Sequence, residues 1–178
     1  MKLWRRTLLH VIGSALSLTF YSQSIFAGTA IHYSGELIAG ACEMIVNGDT
    51  MATVDFNTVS ISEFNANEKT TPVPFTLSLK NCHTALATGV LVTFHGVQDS
   101  FWPNLLALES SSTADGFAIG IETTDHQPLM INATQGTEFL LTDGNTTISL
   151  EAWLQKHSGT DITPGEFTGS ATVSFEYQ

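Results

Sequence analysis

The groups in this 178-residue chain that could do chemistry are two cysteines, six histidines and seventeen carboxylates. Cys42 and Cys82 lie 40 residues apart with His83 the only histidine beside them, which is not a metal-ligand spacing. His32, His83, His95, His126 and His157 show neither His-x-His nor His-x-x-x-His spacing, so no zinc or copper site is expected. No Gly-x-Ser-x-Gly elbow occurs, and no strand-to-helix turn is expected that would hold one. The acids are scattered through loops and do not resolve into the facing pair a glycosidase needs. Asn132-Ala-Thr134 and Asn145-Thr-Thr147 match the glycosylation pattern but read as polar turns. The residues therefore predict no enzyme, no metal, no cofactor and no small-molecule substrate. The cysteine pair remains, and its chemistry depends on the compartment.

That compartment is written in the first 27 residues. Lys2-Leu-Trp-Arg-Arg6 leads into the apolar run Leu8 to Phe20, and Ser24-Ile-Phe-Ala27 puts a small residue at the cut. This is the layout of a secretory signal peptide, too short and too rich in Ser, Thr and His for a membrane span. Cleavage after Ala27 is expected, leaving residues 28–178 as one exported, soluble domain. In an oxidising compartment an even cysteine pair reads as a disulfide. Closing a loop of about 40 residues would stabilise the fold by about 4 kcal/mol in the chain-entropy model.

Charge excludes further partners. Beyond position 27 only Lys69, Lys80 and Lys156 stand against all seventeen acids. Such a body has no clustered cations with which to displace counterions from phosphates, so nucleic acid is not expected as a partner. An anionic membrane surface is excluded on the same ground.

The elements that must carry these residues are strands. Apolar side chains recur with period two at Phe75, Leu77 and Leu79; at Val90, Val92 and Phe94; and at Phe117, Ile119 and Ile121. They recur again at Ile148, Leu150, Ala152 and Leu154, and most cleanly at Ala171, Val173, Phe175 and Tyr177. Turn-rich stretches separate them: Asn47-Gly-Asp49, Thr71-Pro-Val-Pro74, Asp143-Gly-Asn145 and Thr163-Pro-Gly165. Many short strands with one buried face each predict an all-β, immunoglobulin-like antiparallel sandwich.

Residues 28–41, ahead of the first cysteine, carry their own alternation. Thr29, Ile31, Tyr33, Gly35 and Leu37 fall on one face. Such a segment can pair within its own sheet, or be offered to the edge of another molecule's sheet. Gly35 either marks a bulge or a position where a groove is shallow. Tyr177 can be a plain core aromatic as well as a signature residue. Phe101-Trp-Pro103 either tucks into the sandwich or forms a contact patch for a neighbouring subunit.

Taken together these residues resemble the pilin subunits of the chaperone–usher pathway, most closely the minor tip-adapter subunits of type 1 fimbriae. The resemblance covers essentially the whole chain after residue 27. It rests on Gly35 seven residues before Cys42, Cys82 about forty residues on, and Thr71-Pro-Val-Pro-Phe75 entering the strand that ends at Cys82. It rests also on Gly96-Val-Gln-Asp-Ser100 followed by Asn104-Leu-Leu-Ala-Leu-Glu109, on Gly165 fourteenth from the end, and on the penultimate Tyr177. His32, Tyr33 and Met44 are not signature residues, and the 101–103 loop is more aromatic than an adapter's.

The resemblance implies an incomplete immunoglobulin-like β-sandwich lacking its last strand, completed by donor-strand complementation. A periplasmic pilus chaperone would fill the gap first, and at the outer-membrane usher the extension of a neighbouring fimbrial subunit would replace it. Thr29, Ile31, Tyr33, Gly35 and Leu37 become the donor strand of an extension spanning 28–41. Gly165, Ala171, Val173, Phe175 and Tyr177 become the C-terminal assembly motif of a sandwich spanning 42–178. The implied function is a structural subunit, minor or adapter, of a bacterial surface fimbria supporting adhesion. The alternatives are a major shaft subunit or, lacking an added lectin domain, a tip adhesin. A secreted carrier on the same scaffold has no site to support it.

Overall fold

A computed structural model of the chain describes residues 40–45, 53–64 and 68–178. The expected signal peptide, the donor residues Thr29, Ile31, Tyr33, Gly35 and Leu37, and the turn at 47–49 lie outside the described residues.

Among the described residues there are seven strands: β1 (Glu43–Ile45), β2 (Val73–Cys82), β3 (Gly89–Gly96), β4 (Phe117–Thr123), β5 (Thr137–Leu140), β6 (Gly144–Lys156) and β7 (Ala171–Tyr177). They form two sheets, ordered β1-β2-β6-β4 and β5-β3-β7. Every pairing between these strands is antiparallel. The first order is that of strands A, B, E and D of an immunoglobulin sandwich, in which the second sheet runs C, F, G. Here β3 stands at C and β7 at F, while β5 pairs with the far side of β3. Among the described residues no strand occupies the G position beside β7. The fold is thus an all-β immunoglobulin-like sandwich without its last strand.

The core lies between the sheets and is built from the inward set of each alternation. Leu77 and Leu79 of β2, Val90, Val92 and Phe94 of β3, and Ile148, Leu150 and Leu154 of β6 are all buried. Cys42 and Cys82 are joined by a disulfide and buried beside them.

Three expectations need correction. Thr71–Pro74 is not wholly a turn, because Val73 and Pro74 already belong to β2 and pair with Ala152 and Glu151. β1 pairs only with Ser78–Lys80, so at Pro74 the strand has a named partner on one side only, where a missing N–H is tolerated. Asp143–Asn145 is shorter as a turn than expected, since β6 starts at Gly144, whose φ of 84° only glycine adopts without strain. Ala171 is exposed rather than buried.

β4 also departs from simple alternation: all seven of its residues are buried. Trp153 of β6 lies over Gly120, where a Cβ would come within 2.3 Å of the indole. The Lys69 ammonium sits 4.0 Å above that indole and 2.9 Å from the Glu122 carboxylate. The outer face of the sheet is covered there as well as the inner one.

Candidate functional site

Among the described residues β7 is an open edge, and its hydrogen-bond phase decides what it offers. Gly89 and Gln178 exchange both backbone bonds, at 3.3 and 2.9 Å. In an antiparallel ladder bonded pairs alternate with non-bonded ones. The register Leu91↔Glu176, Thr93↔Ser174 and His95↔Thr172 therefore directs those three β7 residues' backbone bonds to β3. The N–H and C=O groups of Ala171, Val173, Phe175 and Tyr177 point the other way, toward the unfilled side. No bond to another described segment occupies them. The residues whose alternation singled them out in the sequence thus present backbone outward while their side chains turn inward.

The first two of these side chains line one wall of a groove. Val173, Phe175 and Tyr177 are half-buried and pack on the core. Ala171 and Val173 flank a cavity of about 630 Å³ whose floor is Phe75, Leu77, Phe94, Leu106, Ile119, Ile121 and Ala152. Thr53, Val54 and Phe56 contribute a further part of the lining. Ala171 is exposed because its inward face meets this unfilled space. Apart from Leu106, the floor residues are legible in the sequence as core but not as groove. No signal in the sequence marks Thr53, Val54 and Phe56. A long apolar slot flanked by unpaired backbone groups is built to take an extended chain, by hydrogen bonds along one edge and alternate side chains below.

The groove's lower end is held by a loop on which Gly165 has a definite task. Residues 166–168 bond to 109–114: the N–H groups of Thr113 and Ala114 donate to the Glu166 carbonyl at 2.9 and 3.0 Å, and that of Glu109 to the Thr168 carbonyl at 2.8 Å. A Cβ on Gly165 would lie 2.7 Å from the Ala114 nitrogen and 2.5 Å from Thr113 Oγ1. Only glycine lets these backbones meet. Gly165→Ala is expected to destabilise the fold by about 1–3 kcal/mol through this overlap. Thermal unfolding of the chain with a strand fused after Gln178 would measure it; an unchanged melting temperature would show that the loop yields freely.

Tyr177 stands at the other end of β7. Its hydroxyl donates to the Cys42 carbonyl at 3.3 Å, and burial pushes its pKa up. It is both a packed aromatic and a tie between the last strand and the disulfide.

The aromatic loop divides between its two readings. Trp102 is half-buried, donating from Nε1 to the Lys156 carbonyl at 3.1 Å. Phe101 remains exposed, stacked on His157 with ring centres 5.0 Å apart. Buried Asp99 shapes the turn by accepting from the N–H groups of Phe101 and Trp102.

One polar cluster was not foreseen from spacing. Glu122, His126 and Glu151 bring donor atoms within 4.8 Å of one another on the outer face of the four-stranded sheet. The Glu122 carboxylate is already held by Lys69 at 2.9 Å and His126 at 3.1 Å, so a structural ion pair accounts for it. Burial alone would raise the Glu122 pKa, but the bonds and charges of Lys69 and His126 outweigh it and leave it below the ordinary 4.5. A depressed carboxylate contributes stability above its unfolded pKa and loses it as pH falls through the folded one. Lys69→Met should therefore destabilise the strand-fused chain at neutral pH by about 1–3 kcal/mol, by stranding a buried carboxylate. It should also flatten the loss of stability in acid below pH 4.5. Denaturation series at neutral and acid pH would check both.

Among the described residues the sandwich is short of one strand, with an apolar groove and an unpaired edge where that strand belongs. The family model described as fimbrial protein matches residues 31–178, and the chain belongs to this family. It is 43% identical over 168 residues to the uncharacterized fimbrial-like protein YfcP of Escherichia coli, covering 94% of each chain. It is 31% identical over 179 residues to PmfF of Proteus mirabilis, provisionally named a minor fimbrial subunit, covering 94% of this chain and 98% of that one. Among solved structures it is similar in fold to the P pilus rod subunit PapA, with a TM-score of 0.67, 22% identity, and coverage of 78% of this chain and all of that one. The chain is a fimbrial structural subunit, and not an enzyme.

Proposed function

We propose that this chain is a minor, adapter-type subunit of a surface fimbria, assembled by donor-strand exchange. Export through the periplasm, a periplasmic chaperone that first fills the groove, and an outer-membrane usher where a neighbouring subunit's extension replaces it complete the reading. The observation that carries it is the edge of β7, where two outward backbone positions, Ala171 and Val173, flank an apolar groove. Residues 28–41 supply the matching part for a neighbour: Thr29, Ile31, Tyr33 and Leu37 fill its groove and Gly35 sits where that groove is shallow. Gly165, Ala171, Val173, Phe175 and Tyr177 form the acceptor side. The adapter position is supported by the resemblance of Asn104–Glu109 to adapter subunits and by the name carried by the Proteus relative. Leu106, within that stretch, lines the groove.

Mass spectrometry of sheared fibres gives the test. The chain is expected at low stoichiometry; abundance equal to the principal component would make it a shaft subunit. Gly35→Leu is expected to abolish incorporation while chaperone-bound subunit accumulates, since overpacking acts at one groove position. Normal incorporation of that variant would remove Gly35's special role.

A further inference from the structure

Glu122 and Glu151 stand directly opposite each other where β4 pairs with β6. Alternation turns both side chains to the outer face of the four-stranded sheet, while their neighbours Ile121 and Ala152 face the groove. Opposed side chains on one face have Cβ atoms about 4.5–5.5 Å apart, and like charges so placed repel. Water does little to relieve them: the Glu122 side chain is 4% exposed and that of Glu151 23%. Two carboxylates held together out of solvent call for positive charge between them. Lys69 meets one of the two, at Glu122 Oε2. Glu151 accepts no hydrogen bond among the described residues, and the basic group nearest its carboxylate is His126, 3.9 Å away. The ion pair thus satisfies Glu122 and leaves Glu151 over.

His126 supplies a third donor. The Thr123 N–H donates to the Gln127 carbonyl and the His126 N–H to the Thr123 carbonyl, 2.9 Å each, a tight turn that brings the ring back over the carboxylates. Its Nδ1 lies 3.1 Å from Glu122 Oε1 and 3.9 Å from Glu151 Oε2. The donor atoms of all three residues fall within 4.8 Å of one another. Ligands bound to a tetrahedral zinc ion at about 2.0–2.2 Å stand about 3.3–3.6 Å apart, so small side-chain shifts close the set. The ring side chain is 70% exposed, which leaves an ion a way in. A ring nitrogen beside two carboxylate oxygens suits zinc, whereas magnesium and calcium take oxygen alone. Spacing along the chain hides this set, because its members come from two strands and a turn.

We propose that Glu122, His126 and Glu151 form a zinc site that clamps β4, β6 and the turn at residues 123–127 together. The ion displaces the proton shared by His126 Nδ1 and Glu122, and supplies the charge that Glu151 lacks. Lys69 stays on the other Glu122 oxygen. Water completes the ion's shell on the exposed side.

The test titrates zinc chloride at neutral pH into the chain with a donor strand fused after Gln178, followed by calorimetry and thermal melting. One zinc per chain is expected, with a melting temperature raised by about 5–10 °C at a hundredfold excess over the dissociation constant. His126→Ala and Glu151→Gln should each weaken binding by about tenfold or more and lose that rise. The histidine is exposed and glutamine keeps the shape of glutamate, so melts of both variants without zinc should stay cooperative. Zinc should also restore stability to Lys69→Met, by replacing the missing cation at Glu122. Binding no tighter than millimolar in the unsubstituted chain would overturn the proposal. So would an unchanged affinity in either variant, or calcium binding as tightly as zinc.

Discussion

Produced in an oxidising compartment without a partner, the chain after residue 27 is expected to aggregate or be degraded. The same chain with a donor strand fused after Gln178 is expected to be a stable monomer. The magnitude follows from the groove. Val173, Phe175 and Tyr177 are only half-buried, and Phe75, Phe94 and Ile119 line the unfilled space with Val173. Each large side chain left wet forgoes up to about 1.5–3 kcal/mol. A domain holds only about 5–15 kcal/mol in all. Three such side chains would remove most of that margin, and the unpaired edge of β7 gives the weakened protein a template for association. Co-expression with a periplasmic chaperone should rescue it as the fused strand does. Size-exclusion chromatography and thermal melts separate the outcomes. A monodisperse, cooperatively melting monomer of the unfused chain would overturn the reading of an incomplete fold.

The second large effect concerns the disulfide. Cys42→Ser or Cys82→Ser in the strand-fused chain is expected to cost about 4 kcal/mol, from the entropy regained by a loop of about 40 residues in the unfolded state. Both cysteines are buried, so an orphaned thiol also loses packing against the core. Denaturant unfolding with and without reductant would measure it, and alkylation under non-reducing conditions would count the thiols. Two alkylated cysteines in the native protein would contradict the bridge.

How far the sequence went depended on strand length and on what covered each face. The alternations at 75–79, 90–94, 148–154 and 171–177 located β2, β3, β6 and β7, because each has one dry face. β1 and β5 have three and four residues, too few for a period to stand out. β4 was found, but its second buried face was not. Gly120 carries no side chain to announce the indole above it, and Lys69 and Glu122 read as solvent residues until they pair. The groove was legible on its β7 side and as a missing strand. Its floor was not, because Phe94 or Ile119 looks the same in sequence whether the space above it is filled by its own chain or left for another. The wall at 53–56 has neither period nor motif.

The disulfide also sets where tension travels. In a fibre assembled by donor-strand exchange as proposed above and pulled by flow, force would enter the body ahead of Cys42 and leave through the strand lodged against β7. The bridge passes that load directly to Cys82, on through the turn at residues 83–88 into β3, and across seven residue pairs to β7. The segment between the cysteines, with β1 and nearly all of β2, is bypassed and cannot pay out as slack. The pull runs along β3 and β7, so their ladder bears it in shear, with its pairs sharing the load instead of opening one after another.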